Sequence, residues 1–441
     1  MNVGIDFGTT NSVLAVATGV GATQVAQHRP DRSTGNYRSI LCFLKGGSAP
    51  GSGPIVRAGP EAMAAYLDHG SDCRLIQSVK SMVANPNFSQ THIFGRKFTI
   101  EDMVAAILNA LRTSAECGLP ALGDAVTAGR PVRFAGQLAD EMLALRRLTD
   151  AFGMAGFAEV AFVAEPLAAA YKFASRIGSA KLCVVADFGG GTSDFSLVRF
   201  GPGSDARLDM ETLATSGVGV AGDRLDYRII ENIICPKLGL GSHYVSMGKR
   251  LPMPVHYYSR FQRWSDLSFL RAPEILRELR GLKRMSEEPE ALDRLIYIIE
   301  EELGFDLYRA VSAVKTALSS QEIARLAFNH GPVRIDEAIS RAAFNEWISE
   351  DLAAIDEQIT KLFDETDLTP ADVDNVFMTG GTSFVPAIRE LTASRFSAAE
   401  FSAEDEFISV GGGLALFGRE HLRGQPAGTD RSASRRRSDP A

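Results

Sequence analysis

The sequence predicts an α/β fold of two lobes made by duplication, with one ligand cleft between them. Two stretches carry that expectation. In mid-chain, the apolar run 182–186 ends on Asp187; Phe188, Gly189, Gly190, Gly191, Thr192 and Ser193 then lead to a second acid, Asp194. Apolar alternation resumes at Phe195, Leu197 and Phe200. This reads as a β-hairpin whose tip offers backbone N–H groups, hydroxyls and carboxylates. Consecutive glycines let the main chain turn with positive φ and approach a ligand closely. Successive N–H groups in such a turn form a concavity for phosphate oxygens. The flanking acids suit a hydrated magnesium ion, which keeps several of its waters. The chain opens on the same pattern: Val3-Gly4-Ile5-Asp6-Phe7-Gly8-Thr9-Thr10-Asn11-Ser12, followed by Val13 to Val16. One glycine-rich hairpin is weak evidence, because short motifs match by chance. A second copy about half a chain away points to a duplicated fold that grips one nucleotide from both sides.

The remaining elements follow in order. The segment 24–38 is polar, and 45–54 is rich in Gly, Ser and Pro and reads as a loop. Ile55 to Tyr66 passes from a short strand into an alanine-rich helix. Ile100, Met103, Val104, Ile107, Leu108 and Leu111 have helical spacing, and Leu138 to Phe152 reads as a second amphipathic helix. Ala125 to Val132 is a strand closing on a Gly129-Arg130-Pro131 turn. Val160 to Ala164 is a strand that delivers Glu165-Pro166 to the start of another helix, and proline suits a first helical turn. Glu165 is thereby held at the C-terminal end of a strand, where open α/β sheets bind ligands. A capping acid beside a helix N-terminus accounts for it equally well.

In the second half, Met210 to Ala214 reads as a strand, and Ser216 to Asp223 as a glycine-rich loop feeding a helix from Arg224. Such a helix N-terminus can receive phosphate. The stretch 243–269 is aromatic and irregular (His256, Tyr257, Tyr258, Phe261, Trp264) and reads as a packed insertion or, if exposed, a partner site. Leu292 to Gln321 reads as long helices carrying Lys315 among apolar neighbours, and Ala343 to Phe363 as one further helix. Val376 to Met378 is a strand before the turn Thr379-Gly380-Gly381-Thr382-Ser383. Val410-Gly411-Gly412-Gly413-Leu414 is a last glycine-rich segment leading into a helix. From about Gly424 the Pro, Gly, Ser and Arg tail reads as disordered.

Composition bounds the class. With 441 residues, 45% hydrophobic and 23% charged, the chain is globular and long enough for two cores. A net charge of −8 argues against nucleic acid or an anionic membrane as partner. Five scattered cysteines with no C-x-x-C pair fit reduced thiols rather than a disulfide framework or zinc site. The chain opens directly on a strand with no signal-peptide pattern, and no apolar run approaches the ~20 residues of a membrane span. A cytoplasmic, monomeric protein is expected.

The segments GIDFGTTNS, DFGGGTSDF, EPLAAA and GGTSFVP occur in an order that resembles the nucleotide-binding domain of the DnaK-type (seventy-kilodalton heat-shock) chaperones. These belong to the actin/hexokinase/heat-shock ATPase superfamily, with duplicated ribonuclease-H-like domains. The resemblance runs from Met1 to about Gly418. The Gly129-Arg130-Pro131 turn with Phe134 and Gly136, the Ser78-Val79-Lys80-Ser81 segment and the enlarged region between Asp226 and Lys315 are most similar to the short, YegD-like branch. The resemblance implies lobe I over 1–179, with an insertion at about 36–98, and lobe II over 180–420, with an insertion at about 222–330. The basic tail covers 421–441.

The implied ligands are ATP or ADP with Mg2+. Asp6 and Asp187 would hold the water shell of the magnesium, with Asp194 acting through water. Gly8, Thr9, Thr10, Asn11, Gly189, Gly190, Gly191 and Thr192 would cradle the phosphates. Glu165 would position the attacking or a metal-bound water. Gly222, Asp223, Lys315, Ser319, Gly380, Gly381, Thr382 and Phe384 would line the nucleoside pocket. Three positions depart from the family. Met63, in Gly59-Pro60-Glu61-Ala62-Met63, stands where a lysine would face the γ-phosphate, and losing that cation implies a rate loss of roughly 10²–10³. Phe384 replaces an adenine-stacking arginine, and Ser312 a ribose-binding acid.

Family members continue into a peptide-binding β-sandwich and helical lid, and the expectation here is a protein without them. Contact with a protein client is therefore expected from the lobes, with Tyr244 to Phe269 as first candidate. The expected function is a chaperone-like, slow magnesium-dependent ATPase. The alternative is a nucleotide-binding scaffold or regulatory module with little turnover, for which Met63 is the argument. A small-molecule kinase would need a substrate pocket for which no motif stands out, and an actin-like filament is disfavoured by the large second insertion.

Overall fold

The structure is a computed structural model that describes residues 2–19, 21–28, 35–46, 53–69, 72–116, 118–119, 122–132, 134, 139–174, 181–202, 208–262, 267, 270–402 and 406–421. The arginine-rich tail, Trp264 and Gly136 lie outside the described residues.

Two open sheets form the frame. The first contains β1 (Val3–Phe7), β2 (Asn11–Gly19), β3 (Ala22–Val25), the short β4 (Tyr37–Arg38), β5 (Ala125–Arg130) and β6 (Glu159–Ala164). The second contains β7 (Lys181–Phe188), β8 (Ser193–Pro202), β9 (Leu208–Val218), β10 (Asn375–Thr379) and β11 (Glu400–Ser402). The first runs β3-β2-β1-β5-β6, with β4 on β2, and the second runs β9-β8-β7-β10-β11. The first three strands of each are antiparallel, and the next two join parallel to the first. The sheets match in order and direction, as a duplicated fold requires. Central β7 is apolar at nearly every position from Leu182 to Ala186, as befits a strand covered on both faces.

The helices that pack around the two sheets include α1 (Gly59–His69), α2 (Ile100–Glu116), α3 (Glu141–Met154), α4 (Glu165–Ala174), α5 (Gly222–Ile229), α6 (Gly304–Leu318) and α7 (Glu406–His421). Helices α4 and α7 fill the seam between the sheets. Val163, Ala168 and Ala169 on one side and Cys183, Val185 and Val198 on the other share a core cluster with Leu414.

Chain order placed α7 with the second half. It packs instead across β1, β2 and β5 and along α4, so by packing the end of the chain belongs to the first sheet. The glycines at 411 and 413, which read as a segment before a helix, lie inside it. A Cβ on Gly413 would fall 1.7 Å from Ala168 O, and one on Gly4 of β1 would fall 2.3 Å from Ala415 N. Glycine in a helix costs about 1 kcal/mol relative to alanine, and here it permits direct contact between backbones.

Other readings also shift. Strand β9 runs on to Val218, because Ser193, Asp194 and Phe195 pair with Val218, Gly217 and Ser216. The first three residues of the expected glycine loop are therefore ladder, and a Cβ on Gly217 would meet Asp194 Oδ1 at 2.4 Å. The 343–363 helix divides into Arg341–Trp347 and Ser349–Lys361. A hairpin, Ile323–His330 with Val333–Ser340, had no counterpart in the sequence reading. In the second insertion Tyr257, Tyr258 and Phe261 are buried in the main core of that lobe, so these aromatics are packing and not an exposed patch. None of the described helices is long and apolar enough to cross a membrane.

Candidate functional site

Each hairpin tip is set by its ladder. Strand β1 ends with Asp6 and Phe7 opposite Val13 and Ser12, and Gly8 turns so tightly that a Cβ would sit 2.1 Å from Asn11 O. Strand β7 ends with Asp187 and Phe188 opposite Asp194 and Ser193 of β8. The two tips face each other, since a Cβ on Gly190 would stand 3.0 Å from Thr10 Oγ1. Glu165 follows the last residue of β6 and opens α4. The residues nominated from the sequence all border one cleft of about 1820 Å³. That exceeds the ~300–1000 Å³ of an ordinary small-molecule pocket, and the cleft continues outward to Tyr66 of α1 and Phe305 of α6.

Three segments lock the second tip. Gly189 N–H donates to Thr192 O at 3.0 Å. Gly222 N–H donates to Gly189 O at 3.2 Å and Asp223 N–H to Gly190 O at 2.7 Å, which ties α5 to the turn. Thr382 Oγ1 donates to Gly189 O at 2.8 Å, and Thr379 Oγ1 to Asp187 Oδ1 at 2.8 Å. Gly380 has φ 82°, and a Cβ there would collide with Phe188 O at 2.2 Å, so only glycine fits. These bonds leave a preorganised tip, as phosphate binding needs.

The sequence reading expected the phosphate face of lobe I to have lost its lysine at Met63. The structure corrects this. Lys80 Nζ donates to Glu165 Oε1 at 2.6 Å, with both side chains nearly buried. It arrives on the 3₁₀ turn Val79–Met82, entered through Ser78 at φ 55°. Left-handed backbone on a non-glycine residue is strained and recurs at functional sites. The following segment is held by Arg147 of α3, which donates to Val83 O and Asn85 O at 3.0 Å and to Phe88 O at 3.0 Å. Met63 packs beside the buried Cys42 and Cys73. The Ser-Val-Lys-Ser segment was visible in the sequence, but nothing local showed that it folds back onto Glu165.

Electrostatically the cluster is short of positive charge. Burial, reinforced by Glu165 and Asp187 and opposed by Lys80, pushes Asp6 up to about 8. Burial, then Glu165, raises Asp187 to about 6 against the Thr379 hydrogen bond and Lys80. Burial lifts Asp194 to about 7 despite the Thr192 hydroxyl, 2.7 Å away. Burial works against the Lys80 ammonium, but Glu165, Asp6 and Asp187 together hold its pKa above the usual lysine value. A cation bound among these three carboxyls would favour their charged forms. Among the described residues, no three side chains converge closely enough to ligate a metal directly. Carboxylate and hydroxyl oxygens of this kind fit magnesium held through its waters and through phosphate oxygens.

At the other end, Lys315 Nζ donates to Gly222 O at 3.0 Å and Asp226 Oδ2 at 2.9 Å. Asp226 is a buried acid that the sequence reading did not nominate, and its Oδ1 has no hydrogen-bond partner among the described residues. Ser319 lies one turn beyond Lys315, with its hydroxyl 3.3 Å from Lys315 O. Phe384 is 43% exposed on the cleft edge, with the Arg389 guanidinium 5.2 Å from its ring centre. A flat apolar surface for a base is thus present, together with the cation that Phe384 lacks.

A family model described as "Hsp70 protein" matches residues 74–236 and 301–416, more than half of the chain. The match includes Lys80, Glu165, the second hairpin and Lys315. It omits 237–300, which carries most of the second-lobe insertion, and the first hairpin.

Proposed function

The chain belongs to the Hsp70 family, of ATP-binding, chaperone-like proteins, and on that premise we propose that it is a slow, magnesium-dependent ATPase. The observation that carries the reading is the meeting of two acid-tipped hairpins in one cleft, Thr10 against Gly190. Backbone N–H groups of 8–11 and 190–192 bind the β- and γ-phosphates. Asp6, Asp187 and Asp194 hold waters of the ion, which supplies charge neutralisation to the phosphates when bound. Glu165 orients the attacking water. Phosphoryl transfer needs mainly positioning and electrostatic stabilisation, and these groups provide both. Slow turnover follows from the 2.6 Å pairing of Lys80 with Glu165, which leaves neither charge wholly free for the phosphate.

Membership of the YegD-like branch is part of the proposal, supported by the Ser78–Ser81 segment that delivers Lys80. A reducing, cytoplasmic setting is supported by Cys42, Cys73, Cys183 and Cys235, all buried and in no disulfide among the described residues.

Calorimetry with ATP, ADP and GTP, with and without Mg2+, tests the reading alongside single-turnover phosphate release. Magnesium-dependent ATP binding and slow release are expected, and Asp187→Asn should abolish the magnesium dependence. Failure of the wild-type protein to bind any of the three would end the proposal. Binding without release would establish a non-hydrolysing module instead.

A further inference from the structure

Most arginines on the cleft are committed: Arg224 to Asp351 at 3.3 Å, Arg309 to Asp306 at 3.2 Å, and Arg271 to Glu302. Lys80 is held by Glu165. Arg38 is different. It borders the same cleft, its side chain is exposed, and no hydrogen bond or ion pair joins it to any described residue.

The register says where it stands. Strand β4 pairs with the start of β2, Arg38 opposite Asn11 and Tyr37 opposite Ser12. Directly opposed residues of an antiparallel pair share a face. Tyr37 and Ser12 are buried, while Asn11 and Arg38 border the cleft. The strand is pinned there by Ser39 N–H donating to Thr10 O at 2.9 Å and by the Ser12–Ser39 hydroxyl pair at 2.8 Å. An uncommitted guanidinium is thereby anchored beside the tip of the first phosphate hairpin.

Resting on the ATPase reading above, we propose that Arg38 is a second lobe I cation, beside Lys80, that contacts the terminal phosphate of a nucleoside triphosphate and so distinguishes ATP from ADP. Arginine suits the role, since its planar donors meet phosphate oxygens in pairs and it is always charged. The proposal also accounts for the Lys80–Glu165 pair: with lysine held by the acid, a second cation meets the γ-phosphate.

The test is calorimetry of MgATP and MgADP on wild type, Arg38→Gln and Arg38→Lys. Arg74→Gln serves as control, because Arg74 also borders the cleft but stands on another sheet, opposite Phe43. Arg38→Gln should weaken MgATP binding by ~10- to 100-fold, the worth of a charge-assisted hydrogen bond, and leave MgADP unchanged. Arg38→Lys should fall between, and Arg74→Gln should match wild type. An equal loss for both nucleotides, or no loss for either, would overturn the assignment of Arg38. Wild-type protein that binds neither nucleotide would overturn the ATPase reading on which it rests.

Discussion

Lys80 and Glu165 meet although 85 residues separate them, and that contact decides how the phosphate end of the cleft works. A single buried ammonium stands among Glu165, Asp6 and Asp187. Removing one preorganised donor at developing charge typically costs about 10²–10³ in rate. Lys80→Ala is therefore expected to lower single-turnover phosphate release by that factor. Met63→Lys is expected to leave it no faster, because the cation is already supplied. Acceleration by Met63→Lys would show that Lys80 does not reach the phosphate.

Among the elements, α7 shows how glycine serves packing rather than ligand binding. A side chain at Gly413 would enter the backbone of α4 at Ala168, and Gly411 lies close to Val13. Gly413→Val should push α7 off α4 and destabilise the protein by about 1–3 kcal/mol, the usual range for overpacking. Gly281, within the helix Pro273–Met285, faces open space. Gly281→Ala should stabilise by about 0.4–1 kcal/mol by reducing the freedom of the unfolded chain. Urea midpoints for the two variants, moving in opposite directions, check both.

At the scale of the whole molecule, the lobes meet again at the outer end of the cleft. Tyr66 of α1 and Phe305 of α6 pack edge to face, with ring centres 5.4 Å apart. One ring comes from each insertion, so a nucleotide can leave by this route only if the pair separates. Such a pair contributes about 0.5–1.5 kcal/mol beyond its area. Tyr66→Ala should therefore release labelled ADP roughly 2- to 10-fold faster in stopped-flow, and an unchanged rate would show that exit does not pass this contact.

The two hairpins, Glu165 at a strand end and the glycine turn at 380 were legible in the chain because each is a local demand. Positive φ, close backbone approach and an acid at a strand terminus restrict residue types within a few positions. The duplication was legible for the same reason, as one local pattern written twice. Lys80, Arg38 and Asp226 were not, since their roles arise from which strands lie side by side. Arg38 becomes a cleft residue only through β4 pairing with β2, and Lys80 only through a fold-back held by Arg147. Nor could the run around Gly411 announce whether its glycines receive a phosphate or a neighbouring backbone. By itself the sequence determined the two-lobed α/β class and the phosphate-gripping tips. Tertiary structure alone decided which cations face them and which sheet the last helix joins, because those depend on register and packing between residues far apart in the chain.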